Sequence, residues 1–364
     1  LLLFSMLLIS CNEKKEQINL EKLKTFNLEN GNLAFVKNPL VSNFSKIDTL
    51  ILSKNADPNA KYRFSLFDLN YNKLFEIGEI GTAPDKIEKA TIFSNVVRDS
   101  ITKLYLYQIN KKKLSSINLE KSLAKGESQL LKNIDIKTEK SPQDIIALND
   151  YEFIYNPSNL NLELENKRYY QNQLISSDIK EKYYDYIKPE KNKSPALILY
   201  GYNYPFITTL HKNPSKNLFC QTFLLNKIEV FDEELKTTNS LQIQPEINKV
   251  EFKKLKNITE ESDLPEIKIK DRLISTYVDD SFIWQDITER NLFRRSNENS
   301  NPHTIVVMDW KLNLACKLKI DPDINVYDFI VIEEKNKLLI NDIVNEKIIE
   351  YDISRVFNYL DNLN

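Results

Sequence analysis

The segment Leu66-Phe67-Asp68-Leu69-Asn70-Tyr71-Asn72-Lys73-Leu74 decides the fold, because it joins two apolar runs through a polar turn. Asp and Asn tolerate turn dihedral angles and hydrogen-bond to their own backbone, so the segment predicts a β-hairpin. Similar units, in which an apolar pair precedes an Asp and a polar turn, recur at 230–236, 307–313 and 350–354, with a degraded copy at 106–110. The chain therefore contains a repeated hairpin.

The spacing of the repeat indicates the architecture. Asp68 and Gln108 are 40 positions apart, and Asp309 and Asp352 are 43 apart. A period of about 40–45 residues with four strands each is typical of a propeller blade. We therefore predict an all-β fold, a six-bladed β-propeller with four-stranded antiparallel blades. The alternative is a multi-hairpin β-sandwich in which this turn chemistry is merely frequent.

Most of the remaining chain has strand composition. Short segments rich in Ile, Val, Leu, Phe and Tyr alternate with Asn, Asp and Lys, as strands and polar turns do. Helical periodicity is confined to 178–187 and to the tail at 353–363. We expect the ring to close by pairing of residues 22–33 with the last blade around 341–352, because closure removes exposed strand edges.

The N-terminus predicts export. An apolar run from Leu1 to Ile9 ends at Ser10, as a secretory h-region does, and as a helix it would span about half of a membrane core. Leu8-Ile9-Ser10-Cys11 resembles the lipobox of bacterial lipoproteins, which implies that Cys11 is acylated. Several acyl chains on one Cys suffice for stable anchoring. The alternatives are a plain cleaved signal or a spanning anchor with an incidental Cys.

These features predict the domain organisation and location. Residues 1–10 form a lipoprotein-type signal peptide, 11–29 a tether and 30–364 a single propeller domain with a partly helical insertion at about 157–206. The protein is expected in the cell envelope, lipid-anchored to the outer membrane, on its periplasmic face or at the cell surface. Cys220 and Cys316 are then expected to be separate, half-buried thiols, although a disulfide is permitted there.

Composition excludes several classes of function. A net charge of -2 gives no footprint for nucleic acid. The five glycines cannot assemble a dinucleotide, P-loop or nucleophile-elbow motif. His211 and His303 are more simply solvated or capped than a metal pair, and Asp279-Asp280 is more simply a hairpin turn than a cation site. No catalytic residue, metal ligand or cofactor is predicted.

Two further segments resemble a known family. Ile77-Gly78-Glu79-Ile80-Gly81-Thr82-Ala83-Pro84-Asp85 is similar to the I-G-x-x-G-x-G-P-x-E/D segment of TolB-like six-bladed β-propeller lipoproteins, with Ala83 in place of a glycine. Tyr200-Gly201-Tyr202-Asn203-Tyr204-Pro205 resembles their Tyr-Gly-x-Tyr-Pro segment. The resemblance implies a fold and a location, since that family has no settled activity.

Candidate binding residues lie in two polar stretches. Eight of the eighteen tyrosines fall within 169–204, and Tyr offers a stacking face with a hydroxyl at low entropic cost. We expect Tyr200, Tyr202 and Tyr204 to bind a ligand or partner, with Arg294 and Arg295 able to bind a carboxylate or phosphate. The alternative is that the rings pack the insertion onto the blades and the arginines are solvated.

The favoured function is binding. We expect a lipid-anchored envelope module that binds a protein, peptide or glycan, with no nucleic acid partner. The alternative is a propeller enzyme with a metal-assisted hydrolase or lyase site in the central channel, and a third possibility is a structural module of an envelope complex. The side chains that line the channel would discriminate these hypotheses.

Overall fold

The chain forms 25 β-strands in six sheets, with two α-helices, within the residues that the structure describes. The structure is a computed structural model, and it describes residues 20–35, 41–55, 57, 59–83, 85–138, 142–157, 167–172, 177–182, 208–223, 227–243, 268–291, 302–342 and 344–363.

Two short strands precede the first blade, and the blades then follow in chain order. The strands are β1 (Lys24–Asn27) and β2 (Asn32–Phe35). Blade 1 consists of β3 (Val41–Ile47), β4 (Leu50–Asn55), β5 (Tyr62–Asp68) and β6 (Lys73–Glu79). Blade 2 consists of β7 (Thr91–Arg98), β8 (Thr102–Gln108), β9 (Lys113–Asn118) and β10 (Leu130–Asp135), with helix α1 (Leu119–Lys125) between its last two strands. Blade 3 consists of β11 (Pro142–Ala147), β12 (Glu152–Pro157), β13 (Lys167–Asn172) and β14 (Ser177–Lys182).

The second half of the ring repeats this plan. Blade 4 consists of β15 (Thr208–Lys212), β16 (Leu218–Phe223), β17 (Lys227–Asp232) and β18 (Thr237–Gln242). Blade 5 consists of β19 (Lys268–Val278), β20 (Phe282–Asn291), β21 (His303–Asp309) and β22 (Leu314–Lys319). Blade 6 consists of β23 (Val326–Ile332), β24 (Lys337–Asp342) and β25 (Lys347–Asp352), followed by helix α2 (Ser354–Asp361).

The six blades form a ring, and the first strand of each blade is its innermost strand. β23 contacts β3, β7 contacts β11, β11 contacts β15, and β19 contacts both β15 and β23. Between successive blades lies a buried apolar layer; for example, Leu52 and Leu66 of blade 1 meet Leu104 of blade 2. The predicted six-bladed propeller with four-stranded antiparallel blades is confirmed.

The N-terminal strands close the ring. β2 pairs antiparallel with β25, with Leu33 opposite Ile349, and so supplies the fourth strand of blade 6. β1 pairs parallel with β22, with Thr25 opposite Lys317, and adds a fifth strand to blade 5. The predicted closure by the N-terminal segment is therefore present, and it extends to a second blade. Leu20 and Leu28 are buried, so residues 20–29 of the expected tether are part of the ring.

The two predicted helices and the predicted insertion have different outcomes in the structure. The helix predicted at 178–187 is wrong at its start, because Ser177–Lys182 pairs with β13 as the edge strand of blade 3. Such pairing overrides local propensity. The helix predicted at 353–363 is present as α2. Of the insertion expected at about 157–206, the ranges 167–172 and 177–182 form strands of blade 3, and the rest lies outside the described residues.

Candidate functional site

The ring has two faces with different connections. In each blade the first strand is followed by a turn to the second, and the third by a turn to the fourth; these connections share one face, here called the turn face. Connections from the second strand to the third, and from one blade to the next, share the opposite face, here called the loop face. The assignment follows from the alternating strand directions of the antiparallel blades.

The turn face is built from a repeated Asp-centred turn. Asp68 Oδ1 accepts hydrogen bonds from the backbone N–H groups of Asn70 (2.8 Å) and Asn72 (2.9 Å), and Asp68 ends the third strand of blade 1. Asp232 and Asp309 end the third strands of blades 4 and 5 and accept the same two bonds. The hairpin chemistry predicted from sequence is therefore present at these three positions.

The degraded copy of this repeat is a different feature. Gln108 ends β8, the second strand of blade 2, so its turn lies on the loop face. Its spacing of 40 from Asp68 therefore joins two different places in a blade.

Each of these turns holds a residue with a positive φ that also packs against the preceding blade. The φ values are 66° for Tyr71 and 65° for both Leu235 and Leu312, a region that usually favours glycine. Leu235 is fully buried and packs in one apolar cluster with Ile146 and Ile154 of blade 3. Since glycine has no side chain for this contact, the scarcity of glycine in the chain has a structural reason here.

Polar contacts link the turns to one another. Lys46 of blade 1 pairs with Glu333 and Glu334, which follow the first strand of blade 6. Tyr277 of blade 5 donates a hydrogen bond to Glu333 Oε1 at 2.7 Å. Lys103 Nζ of blade 2 lies 2.8 Å from Asp150 Oδ2 of blade 3. The turn face thus engages much of its charge in contacts between blades.

Asp279 is part of this framework, as its predicted position in a hairpin turn requires. Its Oδ2 accepts a hydrogen bond from Trp284 Nε1 at 2.8 Å, and its backbone oxygen accepts one from Trp310 Nε1 at 3.0 Å. Burial raises the pKa of Asp279 to about 6, although the N–H donors to its carboxylate from Trp284, Phe282 and Ser281 favour the ionised form. The carboxylate orders the turn between β19 and β20.

A second set of polar side chains lies on the first strands, around the channel. Asp144 Oδ2 of blade 3 accepts a hydrogen bond from Leu210 N of blade 4 at 2.7 Å. Asp328 Oδ2 of blade 6 accepts one from Phe44 N of blade 1 at 3.0 Å. Both carboxylates follow a register shift in their strand, and such bulges redirect side chains.

Blade 2 uses an amide at the equivalent place. Asn95 Oδ1 accepts a hydrogen bond from Ala147 N at 2.8 Å, and Asn95 Nδ2 donates one to Ala147 O at 2.7 Å. Each of the three side chains therefore clamps its strand to the first strand of the next blade. This set is not among the residues predicted from the sequence. Its signal there is a short one, Asp or Asn followed by two apolar residues, as in Asn95-Val96-Val97, Asp144-Ile145-Ile146 and Asp328-Phe329-Ile330.

Electrostatics show how these groups are used. Burial raises the pKa of Asp144 to about 6 and raises that of Asp328, against the opposing effect of their N–H donors. His211 lies on the first strand of blade 4, and burial lowers its pKa to about 4. Its imidazole group is therefore neutral at pH 7. The channel carboxylates serve the contacts between blades. In the described part of the chain, no group of three or more His, Cys, Asp or Glu side chains is arranged to hold a metal ion.

The other titratable residues singled out by sequence are not gathered at the channel. His303 Nδ1 lies 2.9 Å from Asp286 Oδ2, and both residues are buried in blade 5. Cys220 and Cys316 are free, buried thiols in blades 4 and 5, as predicted, and burial raises the pKa of Cys316 to about 12.

The glycine segment of the family resemblance forms a strap between blades 1 and 2. Gly78 has a φ of 72°, and a Cβ atom there would overlap Ile87 Cδ1. Gly81 N donates a hydrogen bond to Ile87 O at 3.0 Å, and Ile87 N donates one to Glu79 O at 2.9 Å. The segment is therefore explained by packing at the boundary between the two blades.

The predicted binding residues lie outside the described residues, and the fold shows where their segments attach. These residues are Tyr200, Tyr202, Tyr204, Arg294 and Arg295, and the predicted lipidation site Cys11 also lies outside the described residues. The segment with the three tyrosines connects β14 to β15, and the segment with the two arginines connects β20 to β21. Both connections leave and rejoin the ring at the loop face.

Comparison with known proteins supports the fold. No family model matches the chain, and no curated protein sequence matches it. A member of the DUF4221 family from Bacteroides vulgatus is similar in structure, with 13% identity, a TM-score of 0.52 and coverage of 90% of this chain and 94% of that one. A protein from Bacteroides fragilis whose name describes it as exported is also similar, with 12% identity, a TM-score of 0.52 and coverage of 91% and 94%. No helix within the described ranges has the length and apolar character needed to span a membrane.

Proposed function

We propose that the protein is a binding module of the cell envelope that presents the loop face of its propeller to a protein, peptide or glycan partner. The observation that carries the proposal is the attachment of both predicted binding segments to that face. The turn face is less suited to recognition, because its side chains are engaged in contacts between blades, such as Lys46 with Glu333 and Glu334.

The chemistry of the two segments suits recognition. Tyr200, Tyr202 and Tyr204 would offer flat rings that stack on sugars or peptide side chains, with hydroxyl groups for hydrogen bonds. Arg294 and Arg295 would supply forked donors for carboxylate or phosphate groups. The sheets beneath give the segments a rigid base, which a binding site requires.

The proposal includes a lipid anchor on Cys11 that holds the ring at the outer membrane. It rests on Leu8-Ile9-Ser10-Cys11 and on the likeness to an exported Bacteroides protein. A TolB-like lineage belongs to the same proposal and rests on the segments 77–85 and 200–205, together with the hairpin 67–74 and the lipobox-like segment that ends at Cys11.

The anchor is tested by replacing Cys11 with Ala in the full chain and expressing it in a bacterial host. We expect the variant to leave the membrane fraction and to lose fatty-acid labelling, because the acyl chains supply the membrane affinity. A Glu16→Gln variant serves as the control, since it lies outside the segment Leu8-Ile9-Ser10-Cys11 and leaves the thiol in place. Unchanged membrane association of the Cys11→Ala protein would refute the anchor.

Recognition by the loop face is tested with a Tyr202→Ala, Tyr204→Ala double variant. We expect it to bind less of the partner captured by the wild-type chain from envelope extract, with little change in melting temperature. The matched control is Tyr151→Ala, because Tyr151 is 41% exposed on the turn face. A large fall in melting temperature with binding intact would instead show that the rings are structural.

A further inference from the structure

A polar cavity opens on blade 1 beside the connection from β4 to β5, which lies on the loop face. Its volume is about 170 Å³, and seven of its eight lining residues carry a polar side-chain group, with Ala60 as the exception. Pockets for drug-sized ligands are larger, roughly 300–1,000 Å³, and are mostly apolar. The cavity therefore suits a small and hydrophilic ligand.

The wall of the cavity belongs to a row of polar side chains on one side of blade 1. Ile51 and Phe67 pack with residues of blade 6, so their side of the sheet faces that blade. Ser53 and Ser65 lie two positions along from them and directly opposite each other, and Ser65 is also opposite Glu76. Since alternate residues share one side of a strand, these three polar side chains lie side by side there. Ser65 and Glu76 line the cavity.

The other side of the same three strands is apolar. Leu52, Leu66 and Phe75 are at most 6% exposed and pack toward blade 2. Side chains that only hold two blades together are therefore apolar in this blade, and the row that contains the two serines departs from that rule. Packing between blades does not explain the row.

The two serine hydroxyl groups are buried without a partner. Ser53 is 2% exposed and Ser65 is 3% exposed. Within the described residues, neither hydroxyl makes a hydrogen bond. A buried hydroxyl group that lacks a partner lowers the stability of a fold. A ligand with hydroxyl groups of its own would supply the missing hydrogen bonds.

The charged residues of the lining balance one another. Lys73 Nζ lies 2.7 Å from Glu76 Oε1, and Lys61 Nζ lies 3.8 Å from Glu79 Oε1, which is outside the cavity. Two lysines and two acids, Asp57 and Glu76, line the cavity, so the lining has no net charge. This balance favours a neutral ligand over an anion or a cation.

The neutral residues of the lining offer both donors and acceptors. Asn55 Nδ2 donates a hydrogen bond to Tyr62 O at 2.8 Å, which holds the amide in place and leaves Asn55 Oδ1 as an acceptor. The Ser65 hydroxyl can donate and accept. Sugar hydroxyl groups also do both and carry no charge, so they match this lining.

We propose that the cavity binds one neutral sugar unit, through Asn55, Ser65 and the pair of Lys73 with Glu76. The charged pair would make the stronger hydrogen bonds to the sugar, because one partner in each is ionised. The site lies within the described blades and uses neither the tyrosines nor the arginines of the proposed function. It therefore goes beyond that function and can fail separately from it.

The test measures binding of D-glucose, D-galactose and N-acetyl-D-glucosamine to the full chain by saturation-transfer NMR and calorimetry. We expect at least one to bind saturably at concentrations up to about 100 mM, because few contacts give weak affinity. Ser65→Val should weaken that binding by about tenfold or more, since it removes the hydroxyl and fills the cavity. Ser65→Ala, which removes only the hydroxyl, should weaken it by about three- to tenfold.

The matched control is Ser45→Val in the same blade. Ser45 pairs with Leu52, so it lies on the side of the sheet that faces blade 2, and the variant should bind the sugar like wild type. Hydrogen exchange locates the ligand, and we expect protection at 53–55, 62–65 and 73–76. Binding should change little with salt concentration, because a neutral ligand has no charge to be screened.

Several outcomes would overturn the proposal. These are the absence of saturable binding of all three sugars, equal affinity in wild type, Ser65→Val and Ser65→Ala, and protection confined to other blades. Stronger binding of zwitterionic glycine than of any sugar would assign the cavity to a charged ligand instead. The Tyr202→Ala, Tyr204→Ala double variant should bind the sugar normally, so failure of this site and failure of partner recognition are distinguishable.

Discussion

The turn face and the loop face are built from the same strands but differ in the connections that they carry. On the turn face, Asp68 and Asp309 each close a turn of a few residues, and buried residues such as Leu235 join one blade to the preceding one. On the loop face, the connections vary from the short one after β24 to the one between β14 and β15, which runs from 183 to 207. The repeated Asp-centred turns therefore lie on the turn face, and the longest connection lies on the loop face.

Charge does not separate the two faces in this way. On the turn face, Lys46 has two carboxylate partners, whereas Lys212 is half-buried and its pKa is lowered, first by burial and then by the charge of Arg98. The proposed role of the loop face therefore rests on the length of its connections and on the segments that attach to it.

Ring closure supports both faces, so breaking it should have the largest effect. A chain that begins at residue 36 lacks β1 and β2, and thus the fourth strand of blade 6. We expect it to lose cooperative folding, because blades 5 and 6 would expose unpaired strand edges. Circular dichroism during urea and thermal unfolding would measure the loss.

A chain that begins at residue 20 is the control for this truncation, since it keeps both closing strands. If both truncated chains unfold with the same midpoint as the full protein, closure by β1 and β2 is not what holds the ring.

Substitution by glycine at positive φ should act in opposite directions on the two faces. Leu235 and Glu346 have φ values of 65° and 52°, but Leu235 is buried on the turn face and Glu346 is exposed on the loop face. Leu235→Gly should lower the free energy of unfolding by about 2 kcal/mol, because the lost packing outweighs the relief of strain. Glu346→Gly should raise it by up to about 1 kcal/mol.

Urea unfolding of the two variants measures the difference. Stabilisation by Leu235→Gly comparable to that by Glu346→Gly would show that the side chain does not hold blades 3 and 4 together.

The same division explains what the sequence predicts. The turns at Asp68 and Asp309 are local, since their hydrogen bonds span only four residues, so they were predicted correctly together with the propeller. The clamp from Asp144 to Leu210 joins residues 66 positions apart, and no local pattern reveals its partner. Ser177–Lys182 becomes a strand only because β13 lies beside it.

The candidate site is predictable to a smaller extent. Tyrosine and arginine clusters are visible as composition, but the face of the ring to which their segments attach exists only in the folded chain.

The last prediction concerns the clamps between the first strands, and its effect appears only as a dependence of stability on pH. Burial raises the folded-state pKa of Asp144 to about 6, above its ordinary value of 3.8. The folded chain therefore binds this proton more readily than the unfolded chain, so the contribution to stability is present below about pH 4 and is lost as pH rises to about 6.

In Asp144→Asn this titration is absent, while one N–H acceptor is kept for Leu210 or Ile145. We expect the stability of wild type relative to the variant to fall by about 1–2 kcal/mol between pH 4 and pH 6, measured by urea unfolding at each pH. Asp279 and Asp328 titrate in both proteins, so their effects cancel in the difference, and Asp323→Asn, at an exposed position, controls for the substitution itself. Parallel pH profiles for wild type and Asp144→Asn would mean that the Asp144 carboxylate is solvated in the channel, and the clamp between blades 3 and 4 would then rest on its hydrogen bonds alone.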